Sequence, residues 1–284
     1  MLLSGFTDEI SPDFEEQLRA ARRLGLSHVS LRGVDGQNIG DCPEEVISRR
    51  VLPLCRQYGI GVSSIGSPLG KVPLEDEAAC RAQLETARRL CRFAQALDCR
   101  YVRVFSFYVP AGTDETAETA VLARLRDLLD CFRGSGVTLL HENEKGIYGE
   151  TPRRCLALAR ALEGEAFGLI YDPANFVQCR VEPEAAFALL ERYVRYIHIK
   201  DADGATGRNV VCGQGDGKLP QLLRHLHRTG YDGFLTLEPH LVAFDGLAGL
   251  ERGGGESVVD TARRRDPYTA FALQLDAVKR LYTE

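Results

Sequence analysis

Four short apolar runs in this chain lead into side chains that could hold a metal ion or move a proton. Val137–Leu140 runs into His141-Glu142-Asn143-Glu144-Lys145, and Leu169-Ile-Tyr171 into Asp172. His198 sits within Tyr196-Ile-His-Ile-Lys-Asp201, and Glu238 follows Phe234–Leu237. The candidate residues Glu142, Asp172, His198 and Glu238 are spaced 30, 26 and 40 residues apart. Three carboxylates and one imidazole form a hard, oxygen-dominated set. It suits one divalent cation with positions left for substrate, Mn²⁺ first, then Mg²⁺, Co²⁺ or Zn²⁺, better than a closed thiolate zinc site. Without a cation, three clustered carboxylates repel one another and take up protons; a metal removes that conflict and polarises a bound carbonyl. Taken singly, each residue has an ordinary explanation. A strand-end acid caps a helix or lies on the surface, Asp172 before Pro173 suits a turn, and a lone histidine can be a satisfied core residue. Both readings stand on spacing alone.

The elements that would position these residues alternate regularly. Strands are expected at Leu2–Phe6, His28–Arg32, Ile60–Ile65, Tyr101–Phe105, Val137–His141, Phe167–Tyr171, Tyr196–Ile199 and Phe234–Leu237. Helices are expected between and after them. The first is capped at Ser11-Pro12 and stopped by Gly25, and others cover Glu44–Tyr58, Glu75–Leu97, Glu115–Arg133, Pro152–Leu162, Pro183–Leu190, Leu219–Thr229 and Tyr268–Leu281. Most strands are apolar on both faces, which demands helices covering a parallel sheet. Eight such repeats favour a single closed α/β (β/α)8 TIM barrel over an open doubly wound sheet. No G-x-G-x-x-G follows the first strand, so a dinucleotide fold has no support. The chain reads as one domain, 1–284, with a loop insertion at about 246–266 that contains Gly253–Gly255 and Arg263–Arg265.

Composition narrows the function classes. The chain has 284 residues, 44% hydrophobic and 26% charged, with a formal net charge of -5, so general attraction to nucleic acid is not expected. No run reaches the roughly 18 apolar residues that cross a bilayer. Met1-Leu-Leu-Ser-Gly5 lacks the basic and apolar regions of a secretory signal. Nine cysteines, an odd number without a C-x-x-C pair, point to a reducing compartment, the cytoplasm by default.

Barrel enzymes place reactive groups at the carboxyl ends of strands. There Glu9, Arg32, Asn143, Lys145, Lys200 and His240 could line a substrate pocket, with rim salt bridges as the plainer alternative. Arg103, inside the fourth strand, would balance buried carboxylates. Phe105, Phe107 and Tyr108 could wall the pocket or belong to the core. His225 and His227, two apart on a helix, do not share a face and read as structural. Strand alternation turns His141 away from the side that Glu142 faces. Gly213-Gln-Gly-Asp-Gly217 reads as a loop with special backbone angles.

Taken together and in order, His-Glu-Asn-Glu, Tyr-Asp-Pro-Ala-Asn-Phe, His-Ile-Lys-Asp, Gly-x-Gly-Asp-Gly and Gly-Tyr-Asp-Gly-Phe-x-x-x-Glu-Pro-His resemble the xylose-isomerase-like sugar isomerase and epimerase superfamily. That group includes ketose 3-epimerases and inosose dehydratase and, more distantly, endonuclease IV. The resemblance covers essentially the whole chain. It implies that Glu142, Asp172, His198 and Glu238 hold the metal and that Glu142 and Glu238 are the acid/base pair on opposite faces of a keto-sugar. The reaction would then pass through an enediolate, whose reprotonation gives epimerisation or isomerisation and whose loss of a β group gives elimination. Inosose dehydration or cleavage of a 3-keto-glycoside would be examples of the latter. The chain departs from the ketose 3-epimerases at Asn175, where they carry a substrate-binding histidine, and at Lys200–Gly204, where they carry an arginine. The expected substrate is therefore a modified keto-sugar or sugar acid, with Asn175 among its contacts. The resemblance also implies a homo-oligomer, dimer or tetramer. The endonuclease branch needs more histidines than the six present here.

Overall fold

Short, two-sided apolar strands have nowhere to go but the inside of a parallel sheet, and here they close on themselves. In the computed structural model, which describes residues 2–110, 112, 115–247, 258–259 and 265–283, the strands are β1 (Leu2–Gly5), β2 (His28–Leu31), β3 (Gly61–Ile65) and β4 (Tyr101–Val104). They continue as β5 (Thr138–Glu142), β6 (Phe167–Tyr171), β7 (Val194–Ile199) and β8 (Phe234–Leu237). Each hydrogen-bonds in parallel to the next from β2 to β8, and β8 to β1. β1 and β2 lie side by side at the remaining seam. The result is a nearly closed eight-stranded TIM barrel, as expected.

The helices outside it are α1 (Phe14–Leu24), α2 (Leu52–Tyr58), α3 (Glu77–Ala96), α4 (Glu118–Asp130), α5 (Pro152–Ala161), α6 (Pro173–Gln178), α7 (Pro183–Leu190), α8 (Leu219–Thr229) and α9 (Pro267–Thr283). Three differ from the sequence expectation. The first helix is capped not at Ser11 but by Asp13, whose carboxylate accepts from Glu16 N–H, while Ser11 Oγ accepts from Asp13 N–H. The helix expected from Glu44 begins with α-helical residues 45 and 46, is interrupted by a π-helical turn, Ile47–Val51, and resumes as α-helix at Leu52. Pro53 explains this, since it has no N–H to continue the α pattern. The short α6 was not foreseen, because Asp172-Pro173 reads equally well as a turn. Most of the expected insertion, 248–257 and 260–264, lies outside the described residues. No described helix is long and apolar enough to cross a membrane.

The barrel interior is unusual in being hydroxylic. The Tyr196 hydroxyl on β7 is 2.8 Å from Ser63 Oγ, 3.0 Å from Ser64 Oγ and 2.5 Å from Thr236 Oγ1. Ser63 continues to Ser4 on β1, and Ser64 to Ser30 on β2, both at 2.6 Å. All six residues are buried. Side chains two residues apart on a strand share a face, so Tyr196 and Thr236 lie on the same inward sides as His198 and Glu238, one layer below them.

Candidate metal centre

The four sequence candidates meet. Glu142 ends β5, Asp172 caps α6 directly after β6, His198 lies near the end of β7, and Glu238 follows β8. None of their side chains is more than 3% exposed. His198 Nδ1 lies 3.0 Å from Glu142 Oε1, 3.2 Å from Glu238 Oε2 and 3.7 Å from Asp172 Oδ2. One donor atom from each residue falls within 4.8 Å of all the others. Three carboxylate oxygens and one imidazole nitrogen at that spacing fit a single divalent cation.

Around this point the polar groups are arranged in layers. Arg103 Nη1 donates to Glu142 Oε2 at 2.9 Å, while its Nε and Nη2 donate to the carbonyls of Ser67 and Gly66. Arg32 grips Asp8 with two bonds, at 2.8 and 3.0 Å, and donates through Nη1 to Glu238 Oε1 at 2.7 Å. The Phe6 ring lies under both guanidinium groups, 4.4 Å from Arg32 and 5.3 Å from Arg103, and meets His198 edge-on. Lys200 Nζ lies 2.9 Å from Asp172 Oδ2 and 3.5 Å from Glu238 Oε2.

The other expected pocket residues separate into two groups. Arg32 and Asn143 have their polar groups committed within the protein. Asn143 Nδ2 donates to the Asp172 carbonyl and its Oδ1 accepts the Asp172 N–H, a two-point clamp joining the ends of β5 and β6. Asn175 sits against the centre, its Nδ2 donating to the Asn143 carbonyl at 2.9 Å and to Glu142 Oε1 at 3.4 Å. Its Oδ1 is buried without a hydrogen-bond partner. Lys145 is at the rim, bonded to Gln178 Oε1. Glu9 and His240 form a second small cluster with Glu238. Glu9 Oε2 accepts the His240 N–H at 2.8 Å, and His240 Nε2 stands 3.5 Å from both Glu9 Oε1 and Glu238 Oε1. His240 adopts φ 46°, an uncommon angle for a residue with a side chain.

Arg103 balances a buried carboxylate as expected. Phe105 and Phe107 are fully buried, with Phe105 beneath the Arg103 guanidinium at 4.9 Å. His141 turns away from the centre to Ser106 Oγ, 2.9 Å off. His225 pairs with Glu191, and His227 lies edge-on to Tyr282, both on α8 outside the barrel.

Asp201 and Gln274 were not singled out from the sequence. The Asp201 carboxylate accepts four backbone N–H groups, from Ala202, Gly213, Gly215 and Gly217. A Cβ on Gly215 would lie 2.5 Å from Asp201 Oδ1 and from the Ala202 carbonyl, so only glycine allows the loop to wrap the carboxylate. The signal was present in the pairing of His-Ile-Lys-Asp with Gly-x-Gly-Asp-Gly, two motifs that fold onto each other. Gln274 on α9 donates to the Ile199 carbonyl at 3.1 Å and accepts the Cys212 N–H at 2.9 Å. Between them, Asp201 and Gln274 fix the turn after β7, which carries Lys200 and directly follows the strand end that holds His198.

Burial would raise the carboxyl of Glu142, but His198 and Arg103 hold it down at about 2. Glu238 is held well below the carboxylate range against the same burial penalty, by Lys200 and His198. The reciprocal effect holds His198 and Lys200 charged despite their burial. Glu9 is the exception: burial outweighs His240 and Arg32 and pushes its carboxyl up to about 7.

This barrel belongs to a known class. Residues 18–253 match the model of the xylose isomerase-like TIM barrel family, and the chain belongs to that family. It is 26% identical over 171 residues to fructoselysine 3-epimerase of Escherichia coli O157:H7, covering 58% of this chain and 62% of that protein. The chain spans only 35% to 62% of the length of the curated relatives it matches. The probable 3-DHS dehydratase AsbF from Bacillus anthracis superposes with a TM-score of 0.75 at 15% identity, covering 98% of this chain and 99% of that one. A xylose isomerase-like TIM barrel protein from Mycobacterium smegmatis in complex with magnesium gives a TM-score of 0.66 at 20% identity, over 95% and 89% of the two chains. These two structures share the fold.

Proposed function

We propose that the chain is a divalent-metal-dependent epimerase or isomerase of a keto-sugar, working through an enediolate. The observation that carries this reading is the convergence of Glu142, Asp172, His198 and Glu238 within 4.8 Å of one another. Family membership and the epimerase relative support it. A bound Mn²⁺, Mg²⁺, Co²⁺ or Zn²⁺ would polarise the substrate carbonyl and offset the negative charge that follows proton removal. Glu142 and Glu238 form the proton-transfer pair. One carboxylate removes the proton α to the carbonyl, and the other group of the pair delivers a proton to the opposite face of the same carbon, which inverts it. Lys200 and Asn175, both beside the ligand set, orient the substrate oxygens. Burial of all these groups excludes water from the reactive carbanion.

A second reading, elimination from the same enediolate, is favoured by the likeness in fold to a probable dehydratase and by Asn175 standing where ketose 3-epimerases carry histidine. Incubating the metal-loaded chain with keto-sugars in deuterium oxide separates the two. Deuterium incorporation with an epimer supports the first, and an unsaturated product with a released group the second. Glu142→Gln and Glu238→Gln should each slow exchange by roughly a hundredfold or more. Full activity in both variants would rule out the acid/base assignment.

A further inference from the structure

Every carboxylate of the candidate centre has its two oxygens divided between two tasks. Glu142 turns Oε1 toward His198 Nδ1 and gives Oε2 to Arg103. Glu238 turns Oε2 toward His198 Nδ1 and gives Oε1 to Arg32. Asp172 keeps Oδ2 on the side of His198 and spends Oδ1 on the N–H of Asn175. The two arginines are themselves fixed from behind. Asp8 takes Nε and Nη2 of Arg32, and the carbonyls of Ser67 and Gly66 take the same two nitrogens of Arg103. Phe6 fills the space beneath both planes. Every nitrogen of both guanidinium groups thus already donates to a partner within the protein.

On this basis we propose that Arg32 and Arg103 are positioning residues that commit Glu142 and Glu238 to one metal-facing oxygen each. The proposal rests on the metal reading of the site. Its consequence is a cation held by few protein atoms, with positions left open for two substrate oxygens. A carboxylate free to use both oxygens would fill one of those positions itself. The arginines also set an electrostatic cost. A partner that merely orients a ligand strengthens metal binding, and its loss typically weakens affinity about 10- to 100-fold. A buried cation next to the ligand acts in the opposite sense, because it repels the incoming ion. Arg103 matters most here, since Nη1 lies 2.9 Å from Glu142 Oε2 and 3.9 Å from Glu238 Oε1 and so faces both glutamates.

The crystal structure of the Mn²⁺-loaded chain tests this. Glu142 and Glu238 should each contribute one oxygen, with the other on Arg103 and Arg32; chelation by both oxygens of either glutamate overturns the proposal. In Arg103→Met, Glu142 should swing to chelate the ion. Mn²⁺ affinity, followed by electron paramagnetic resonance, should then rise about three- to tenfold. A folded Arg103→Met chain that binds Mn²⁺ tenfold or more weakly would overturn it. If that variant does not fold, Arg103→Lys keeps the charge and removes the fork. It should hold Mn²⁺ within about threefold of wild type while Glu142 rotates to chelate, and an unrotated Glu142 would refute the positioning role. A wild-type chain that takes up none of Mn²⁺, Mg²⁺, Co²⁺ or Zn²⁺ overturns the metal reading instead.

Discussion

Lys200 Nζ lies 2.9 Å from Asp172 Oδ2, the oxygen that the Asn175 N–H leaves available, and 3.5 Å from Glu238 Oε2. The ammonium therefore shares the space a metal ion would need. Removing it should strengthen metal binding, because a competitor for the same oxygens is gone. Lys200→Met is expected to bind Mn²⁺ about tenfold more tightly in competition with a chelator. Unchanged or weaker binding would show that Lys200 does not compete.

His198 carries the second prediction. With Glu142 and Glu238 beside it, its ring is held charged in the metal-free chain well above the usual histidine range, against the effect of burial. A ligating imidazole must be neutral, so metal uptake near pH 7 should release about one proton and affinity should rise with pH. Calorimetry in two buffers of different ionisation heat reads the number released. A value near zero would mean that His198 stays protonated and is not a ligand.

Glu9 sets a pH dependence of stability. Its carboxyl, ordinarily near 4.5, is pushed up to about 7 by burial. Between those values the folded chain holds a proton that the unfolded chain has released. The stabilisation is complete below about pH 4.5 and is lost as pH rises through about 7, a change of roughly 3 kcal/mol. Glu9→Gln should flatten this slope in denaturant titrations and be more stable than wild type at pH 8. Parallel pH profiles for the two chains would exclude Glu9 as the source.

The hydroxyl layer below the centre makes the fourth. Tyr196→Phe leaves Ser63, Ser64 and Thr236 without the oxygen they share. The expected loss is about 1–3 kcal/mol of stability, read as a lower thermal midpoint. A double change, Tyr196→Phe with Thr236→Val, should recover part of it, because an apolar pair asks for no partner. A single variant as stable as wild type would mean that the serines satisfy one another.

The eight strands and the four central residues were legible in the sequence for a common reason. A strand buried on both faces is apolar throughout, so the point where it becomes polar marks the barrel mouth. Asp172 shows how two readings can both hold, since one oxygen caps α6 and the other faces the centre. What stayed hidden depends on distance along the chain. Nothing local to Arg32 announces a bond to Glu238, 206 residues away, and nothing local to Phe6 says that it underlies two guanidinium groups. Asn143 looked like a pocket residue because it follows Glu142, yet its amide clamps the backbone of Asp172. The capping error at Ser11 arose where a nearby Asp13 changed which N–H needed a partner, and what the reading of the helix from Glu44 missed is the π-helical turn just before Pro53.

The bond from Gln274 to the Ile199 carbonyl has a consequence for the order in which the molecule can assemble. During synthesis, β7 and its histidine emerge before α9 has been made. Until α9 docks, the Ile199 carbonyl and the Cys212 N–H lack the partner that pins the turn after β7. β1, the first of the barrel strands to be made, also waits for β8 before its outer edge is paired. A growing chain that has already displayed Glu142, Asp172 and His198 thus still lacks Glu238, and the four side chains meet only once β8 and α9 have been made and docked.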